Sequence, residues 1–224
     1  KLIDGYVSGA LVFLDANRNN QHDAGEPSTF TNNQGAFELI VELASYDSNG
    51  DGILNPSEGV LIMEGGVDLS TGLDLEGQFL APVGSSLASP LSSLVVAIVD
   101  LNPTFTYAQA QASIKAGLNL AAGVDIHSYD PIASASQGDS DSGPVMAAGA
   151  MVQDTIFTMT RILDKAAGGN MWGALQAAAY DHIANRLMLN QAVNLRDGDF
   201  LETMFDTLRS EERRVGKECR SRWS

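Results

Sequence analysis

The sequence has one cysteine, Cys219, two tryptophans, three histidines and only 13 basic residues against 28 acidic ones. A lone cysteine excludes an internal disulfide framework and thiolate zinc sites. The histidines, His22, His127 and His182, stand far apart, so no H-E-x-x-H or other metal-ligand spacing forms, and no G-x-S-x-G elbow marks a nucleophile. No apolar run approaches the roughly 20 residues that cross a bilayer. The acidic excess repels nucleic acid and anionic lipid and attracts cations.

The ends read differently from the middle. Lys1 is preceded by no methionine or signal peptide, so the chain reads as a piece of something longer. At the other end RSEERRVGKECRSRWS, residues 209–224, resembles the in-frame translation of a sequencing adapter and shows no apolar period. It is set outside the expected fold and holds six of the 13 basic and three of the 28 acidic residues; the remaining 7 and 25 give residues 1–208 a net charge of about −18.

Residues 1–84 carry short apolar runs, GALVFLD, GAFELIVELA and GVLIMEGG, between Gly, Asn, Asp and Pro clusters. That is the pattern of short antiparallel strands, and a small β-sandwich is expected. In AFELIVEL the alternation puts Phe37, Leu39, Val41 and Leu43 on one face and Glu38 and Glu42 on the other. From residue 85 to 208 the period becomes helical. Pro90 follows Ser89 at a helix start, Thr106 and Gln109 form a capping box, Gly168 and Gly169 close a long Ala- and Met-rich helix, and Asn170 is placed to cap the next. The expectation is an α+β chain, with an α-helical bundle of four or five helices after the sandwich.

Two twelve-residue stretches carry the chemistry. DSNGDGILNPSE, residues 47–58, offers Asp47, Asn49, Asp51, the Ile53 carbonyl, Asn55 and Glu58 at the spacing by which a loop wraps a calcium ion, with Gly52 at the sharp turn. DANRNNQHDAGE, residues 15–26, repeats it with Asp15, Asn17, Asn19, the Gln21 carbonyl, Asp23 and Glu26, and Asn20 in the glycine place. Asparagine tolerates a left-handed backbone better than most residues. Neither loop has the flanking helices of a calcium sensor, so both are expected on a β-scaffold.

The stretch GYVSGALVFLDANRNNQHDAGEPSTFTNNQGAFEL is similar to the calcium-binding SdrD B-like repeats of bacterial surface adhesins, over about residues 5–43. The resemblance implies a prealbumin-like β-sandwich and calcium ligation by Asp15, Asn17, Asn19, Asp23 and Glu26. The second loop, at Asp47, departs from that pattern. Segments from EGGVDLSTG through SPLSSLV to GVDIHSYDP are similar to parts of large bacterial surface proteins.

Other candidates read as structural. Asp139 and Asp141 in GDSDSG fit a solvated loop, with a third cation site as the alternative. Trp172 and Tyr180 fit core packing, with a sugar-stacking platform as the alternative, and Met146, Met151, Met159, Met171 and Met188 fit gap-fillers between helices, with a promiscuous binding groove as the alternative. The expected function is a non-enzymatic, calcium-stiffened module of a secreted or cell-surface adhesin, with calcium and neighbouring domains or a surface protein as partners. A dockerin-like calcium-dependent binding module and a fragment of a secreted hydrolase are the alternatives.

Overall fold

The computed structural model describes Lys1 and residues 5–221, the last six by their backbone. The strands β1 (Val7–Ser8), β2 (Leu11–Asp15), β3 (Ser28–Phe30), β4 (Val60–Glu64), β5 (Val67–Asp68) and β6 (Gln78–Ala81) share the first part of the chain with a one-turn helix, α1 (Leu43–Tyr46). The helices α2 (Pro90–Leu101), α3 (Tyr107–Gly117), α4 (Pro131–Ser136), α5 (Ser142–Ala167), α6 (Trp172–Met188) and α7 (Gly198–Ser221) follow. The chain is therefore α+β. Every strand pairing is antiparallel, in a four-stranded sheet of order β3-β2-β4-β6 and a small β1–β5 pair.

β2 and β4 are apolar almost throughout because both faces of the large sheet are covered. Val12, Leu14, Leu61, Met63 and Phe79 point to one side, where Phe37, Leu39, Val41 and the Phe157 ring of α5 pack on them. Phe13, Val60 and Ile62 point to the other side and meet Val96 of α2. A helix thus covers the face on which a sandwich would place its second sheet.

The AFELIVEL alternation survives as burial without becoming a strand. Phe37, Leu39 and Val41 are half-buried while Glu38, Ile40 and Glu42 are exposed, yet residues 36–42 join no ladder. The segment lies extended over the sheet through its apolar side chains, and among the described residues its backbone–backbone bonds are only at its ends, from Asn32 to Ala36 and from Ser45 to Glu42. Leu43, expected inward, is exposed in α1.

Helix signals are largely kept. Ser89 caps α2 in a box with Ser92, Thr106 caps α3 in a box with Gln109, and Gly168 ends α5 at a left-handed φ of 98°. Two points differ. Asn170 does not cap α6: Met171 takes the N-cap place with its N–H bonded to the Asp164 carboxylate at 2.6 Å, and Asn170 turns back to the Gly168 carbonyl. Among the described residues six helices follow residue 84 instead of four or five, because Asp130 and Pro131 start the short α4 with the Asp130 carboxylate accepting from Ile132 and Ala133 N–H groups.

Residue 84 is a change of element but not a gap in packing. The Ser92 hydroxyl donates to the Leu80 carbonyl at 2.7 Å and the Leu80 N–H donates to Ser93 Oγ at 2.9 Å. Farther along β6, the Gln176 amide of α6 accepts from the Gln78 N–H and donates to its carbonyl. Side chains from two helices thus occupy the outer edge of β6, where unpaired backbone groups would otherwise face solvent.

The tail also departs from its expectation. α7 buries Phe200, Met204 and Leu208 at helical spacing and runs on through Ser221, with Val215 half-buried against the helical core. Arg214 pairs with Glu211 one turn earlier. Among the described side chains, truncation after Leu208 removes one partly buried valine and a surface ion pair, so it should cost about 1 kcal/mol and lower Tm by about 2–4 °C. A calorimetric melt of the truncated chain checks this, and a drop beyond 10 °C would show that the tail is integral to the core.

Candidate metal centre

Both loops hang from the same end of the large sheet. Asp15 ends β2 and opens the first loop, Glu58 closes the second loop just before β4, and Asp15 lies opposite Val60 in the ladder. The loops also touch each other. Tyr46 donates its hydroxyl to the Gly25 carbonyl at 3.0 Å, and the Arg18 guanidinium donates to the Pro56 carbonyl at 2.6 Å while pairing with Asp100 at the end of α2.

Place by place, the two loops share a set of hydrogen bonds, to which the second adds bonds from the Gly50 N–H to Asp47 and from the Ser48 hydroxyl and Asn49 N–H to Glu58. The first-place aspartates accept from the fifth- and sixth-place N–H groups: Asp15 from Asn19 and Asn20, Asp47 from Asp51 and Gly52. The third-place asparagines, Asn17 and Asn49, accept from the fifth-place N–H, and the fifth-place side chains, Asn19 and Asp51, accept from Gln21 and Ile53 N–H. Glu26 accepts from Ala16 and Asp23 N–H, and Glu58 from Ser48 and Asn55 N–H, so each last-place carboxylate ties both limbs of its loop. Asn20 and Gly52 take the left-handed turn, at φ of 60° and 85°. Asparagine therefore does serve in the glycine place.

Three of the loop carboxylates, Asp23, Asp51 and Glu58, are held in the charged form. Asp23 is held below its ordinary range by the Asn17 and Asn19 amides, and Asp51 by the Asn55 amide and the Ile53 N–H. Glu58, only 5% exposed, is brought down to about 2 by the Asn55 N–H, then by Ser48. Its contribution to stability is present above the ordinary glutamate range and is lost as pH falls through about 2.

The donor set fits a hard cation in one specific way. In each loop a carboxylate oxygen, Asp23 Oδ2 or Asp51 Oδ2, receives two asparagine amides at 2.7–3.1 Å. The carbonyl oxygens of Asn17, Asn19 and Asn49 already accept from backbone N–H groups, and each keeps a second lone pair to offer an ion without any change of backbone. Among the described residues no three His, Cys, Asp or Glu side chains converge as a metal cluster. Any ion here would depend on asparagine and main-chain oxygens as well as carboxylates, as calcium loops do.

The remaining candidates are dispersed. His22 is exposed beside the Phe13 ring, His127 packs edge-on to Tyr107, and His182 meets Thr207 and Phe200, with burial lowering the last two below the usual imidazole range. Asp139 accepts from the Asp141 N–H in an exposed turn before α5. Trp172 and Tyr180 lie on one face of α6: Tyr180 is buried, and Trp172 is half-buried, edge-on to Phe157. Both line a groove of about 860 Å³ between the sheet and α6. Of the methionines expected to fill gaps between helices, Met171 is buried, Met151, Met159 and Met188 pack partly against the helical core, and Met146 is exposed.

The groove also holds a residue that sequence reasoning missed, Asp181. Burial, then the nearby Asp100 and Glu211 carboxylates, pushes it up to about 6. Its folded value lies above the unfolded one, so its ionised form weakens the fold increasingly as pH rises from about 4 to 6. Allowing for its partial exposure to solvent, Asp181→Asn should gain about 1 kcal/mol at pH 7.5, a Tm rise of about 2–4 °C that disappears near pH 4. Paired melts at the two pH values measure it. A lower Tm for the variant at pH 7.5 would contradict it.

No family model matches the chain, and searches of curated proteins and of solved structures find no match.

Proposed function

We propose that the chain is a non-catalytic, calcium-stiffened module whose two loops each bind one calcium ion. The observation that carries this reading is the shared hydrogen-bond pattern of residues 15–26 and 47–58, two differing sequences that shape the same cradle. Asp15, Asn17, Asn19, the Gln21 carbonyl, Asp23 and Glu26 would hold one ion, and Asp47, Asn49, Asp51, the Ile53 carbonyl, Asn55 and Glu58 the other. Calcium would neutralise the carboxylates gathered at one end of the sheet and lock the loops against each other through Arg18 and Tyr46.

In this reading the strand half is a reduced form of the SdrD B-like sandwich, with α2 and the 37–41 segment in place of missing strands and a helical bundle packed on it. Its support is the antiparallel pairing of all the strands around a shared core. The partners would be neighbouring domains or a surface protein, and the setting the cell surface or its exterior, where free calcium reaches the roughly 10⁻⁴–10⁻³ M that such modules need. Among the described residues no helix is long and apolar enough to cross a membrane. The dockerin-like alternative draws no support from the loops, which lead into β3 and β4 and not into helices.

Calorimetric titration of the chelator-treated protein tests the reading. Two calcium sites with Kd of about 10⁻⁴–10⁻³ M and weaker magnesium binding are expected. No calcium heat and no protection of residues 15–58 from protease would end it.

A further inference from the structure

The groove beside the first loop has a definite chemistry. Its floor is apolar, from Leu11, Leu80 and Val96, and Phe30 at one rim is 65% exposed. Trp172, Tyr180 and three carboxylates, Glu64, Asp100 and Asp181, also line it, and among the described residues no Lys, Arg or His does. Two of those carboxylates are answered: Asp100 by Arg18, and Glu64 by the Gln78 amide at 2.7 Å. Asp181 has no ion-pair partner among the described residues.

We propose that this groove binds an organic cation, an ammonium or guanidinium on an apolar or aromatic body, with Asp181 taking the charge, the apolar floor and the adjacent Tyr180 contacting the body, and Trp172, about two and a half turns from Asp181 on α6, lining the far end. An anion is disfavoured by three carboxylates with no basic group in the lining. An apolar pocket with one uncompensated charge and aromatic walls favours a cation that brings its own hydrophobic surface.

The aromatic wall is built by local geometry. Trp172, Gln176 and Tyr180 follow one another at four-residue steps along one face of α6. Gly77, at φ 80°, leaves room for them, since a Cβ there would stand 2.8 Å from the Trp172 indole nitrogen and 2.7 Å from the Gln176 carbonyl oxygen. That indole N–H is itself buried and makes no hydrogen bond. Asn19, Asn20 and Gln21 of the first loop form part of the rim, although the proposal does not require calcium in that loop.

The test is a calorimetric titration of the full chain, in millimolar calcium, with 2-phenylethylamine and with its neutral match 2-phenylethanol. The amine should bind at least about tenfold more tightly than the alcohol, and Asp181→Asn should weaken the amine about tenfold and leave the alcohol unchanged. Because that variant is expected to melt higher than the wild type, a loss of amine binding in it is not a loss of folding. Equal affinities for amine and alcohol, no amine binding up to about 10 mM, or undiminished amine binding by Asp181→Asn would each overturn the proposal.

Discussion

Phe79→Ala is expected to lower the unfolding free energy by about 3–5 kcal/mol, a large share of the total stability of a chain this size. Phe79 is fully buried in β6, and its ring stacks on Phe157 of α5 at 6.4 Å and 10°, so it belongs at once to the sheet and to the helices. Removing it opens a cavity where the two halves meet. Gln176 and Ser93, which bond to the β6 backbone from α6 and α2, would lose the strand that orders them. The loss should therefore spread to both halves. Hydrogen exchange should show amides of β2 and β4 and amides of α5 and α6 opening with the same reduced free energy. A cost under 1 kcal/mol, or strands that open while α5 and α6 stay protected, would mean that the halves are independent.

Calcium should raise the melting temperature, and Glu58→Gln should remove more of that rise than Glu26→Gln. At ten times Kd each site adds about 1.4 kcal/mol by mass action, nearly 3 for two, which is about 6–12 °C in Tm. The ranking follows from how the last-place carboxylates are held. Glu58 is buried and accepts from the Ser48 N–H and hydroxyl, the Asn49 N–H and the Asn55 N–H, whereas Glu26 is half-buried and accepts from two N–H groups. A carboxylate already ordered toward its loop loses less freedom on meeting an ion, so its replacement by an amide should remove more of the calcium effect. Gly52 adds to the difference, since its left-handed turn costs less than that of Asn20. Melts of wild type and both variants in chelator, calcium and magnesium decide the matter. Identical melting of the wild type with and without calcium would remove the metal reading, and a larger loss for Glu26→Gln would reverse the order of the loops.

The loops were legible because their partners are close in sequence. Every bond from Asp47 or Glu58 that shapes the second loop spans no more than ten residues, so spacing alone fixes which N–H each oxygen can reach. The same locality made Ser89, Thr106 and Gly168 readable as helix ends. AFELIVEL was half legible: alternation states which side chains turn inward, but a strand also needs a neighbour with free backbone groups, and β2 is already flanked by β3 and β4. Asp181 was illegible because nothing within its own helix explains its shifted carboxyl. Its surroundings come from α2 and α7, which bring Asp100 and Glu211 near it.

By itself, then, the sequence determined the two oxygen-rich loops, the antiparallel character of the strands, the switch to helices and the acidity of the whole, all of which depend on periodicity, turn chemistry and composition over short spans. Only the tertiary structure decided that α2 covers the sheet, that Gln176 reaches Gln78 across 98 residues, that Val215 packs on the helical core and that Trp172, Tyr180 and Asp181 face a groove. The physical reason is that such contacts are chosen by which apolar faces are left to bury once the local elements have formed. That choice compares whole surfaces distant in the chain, and no stretch of residues contains it.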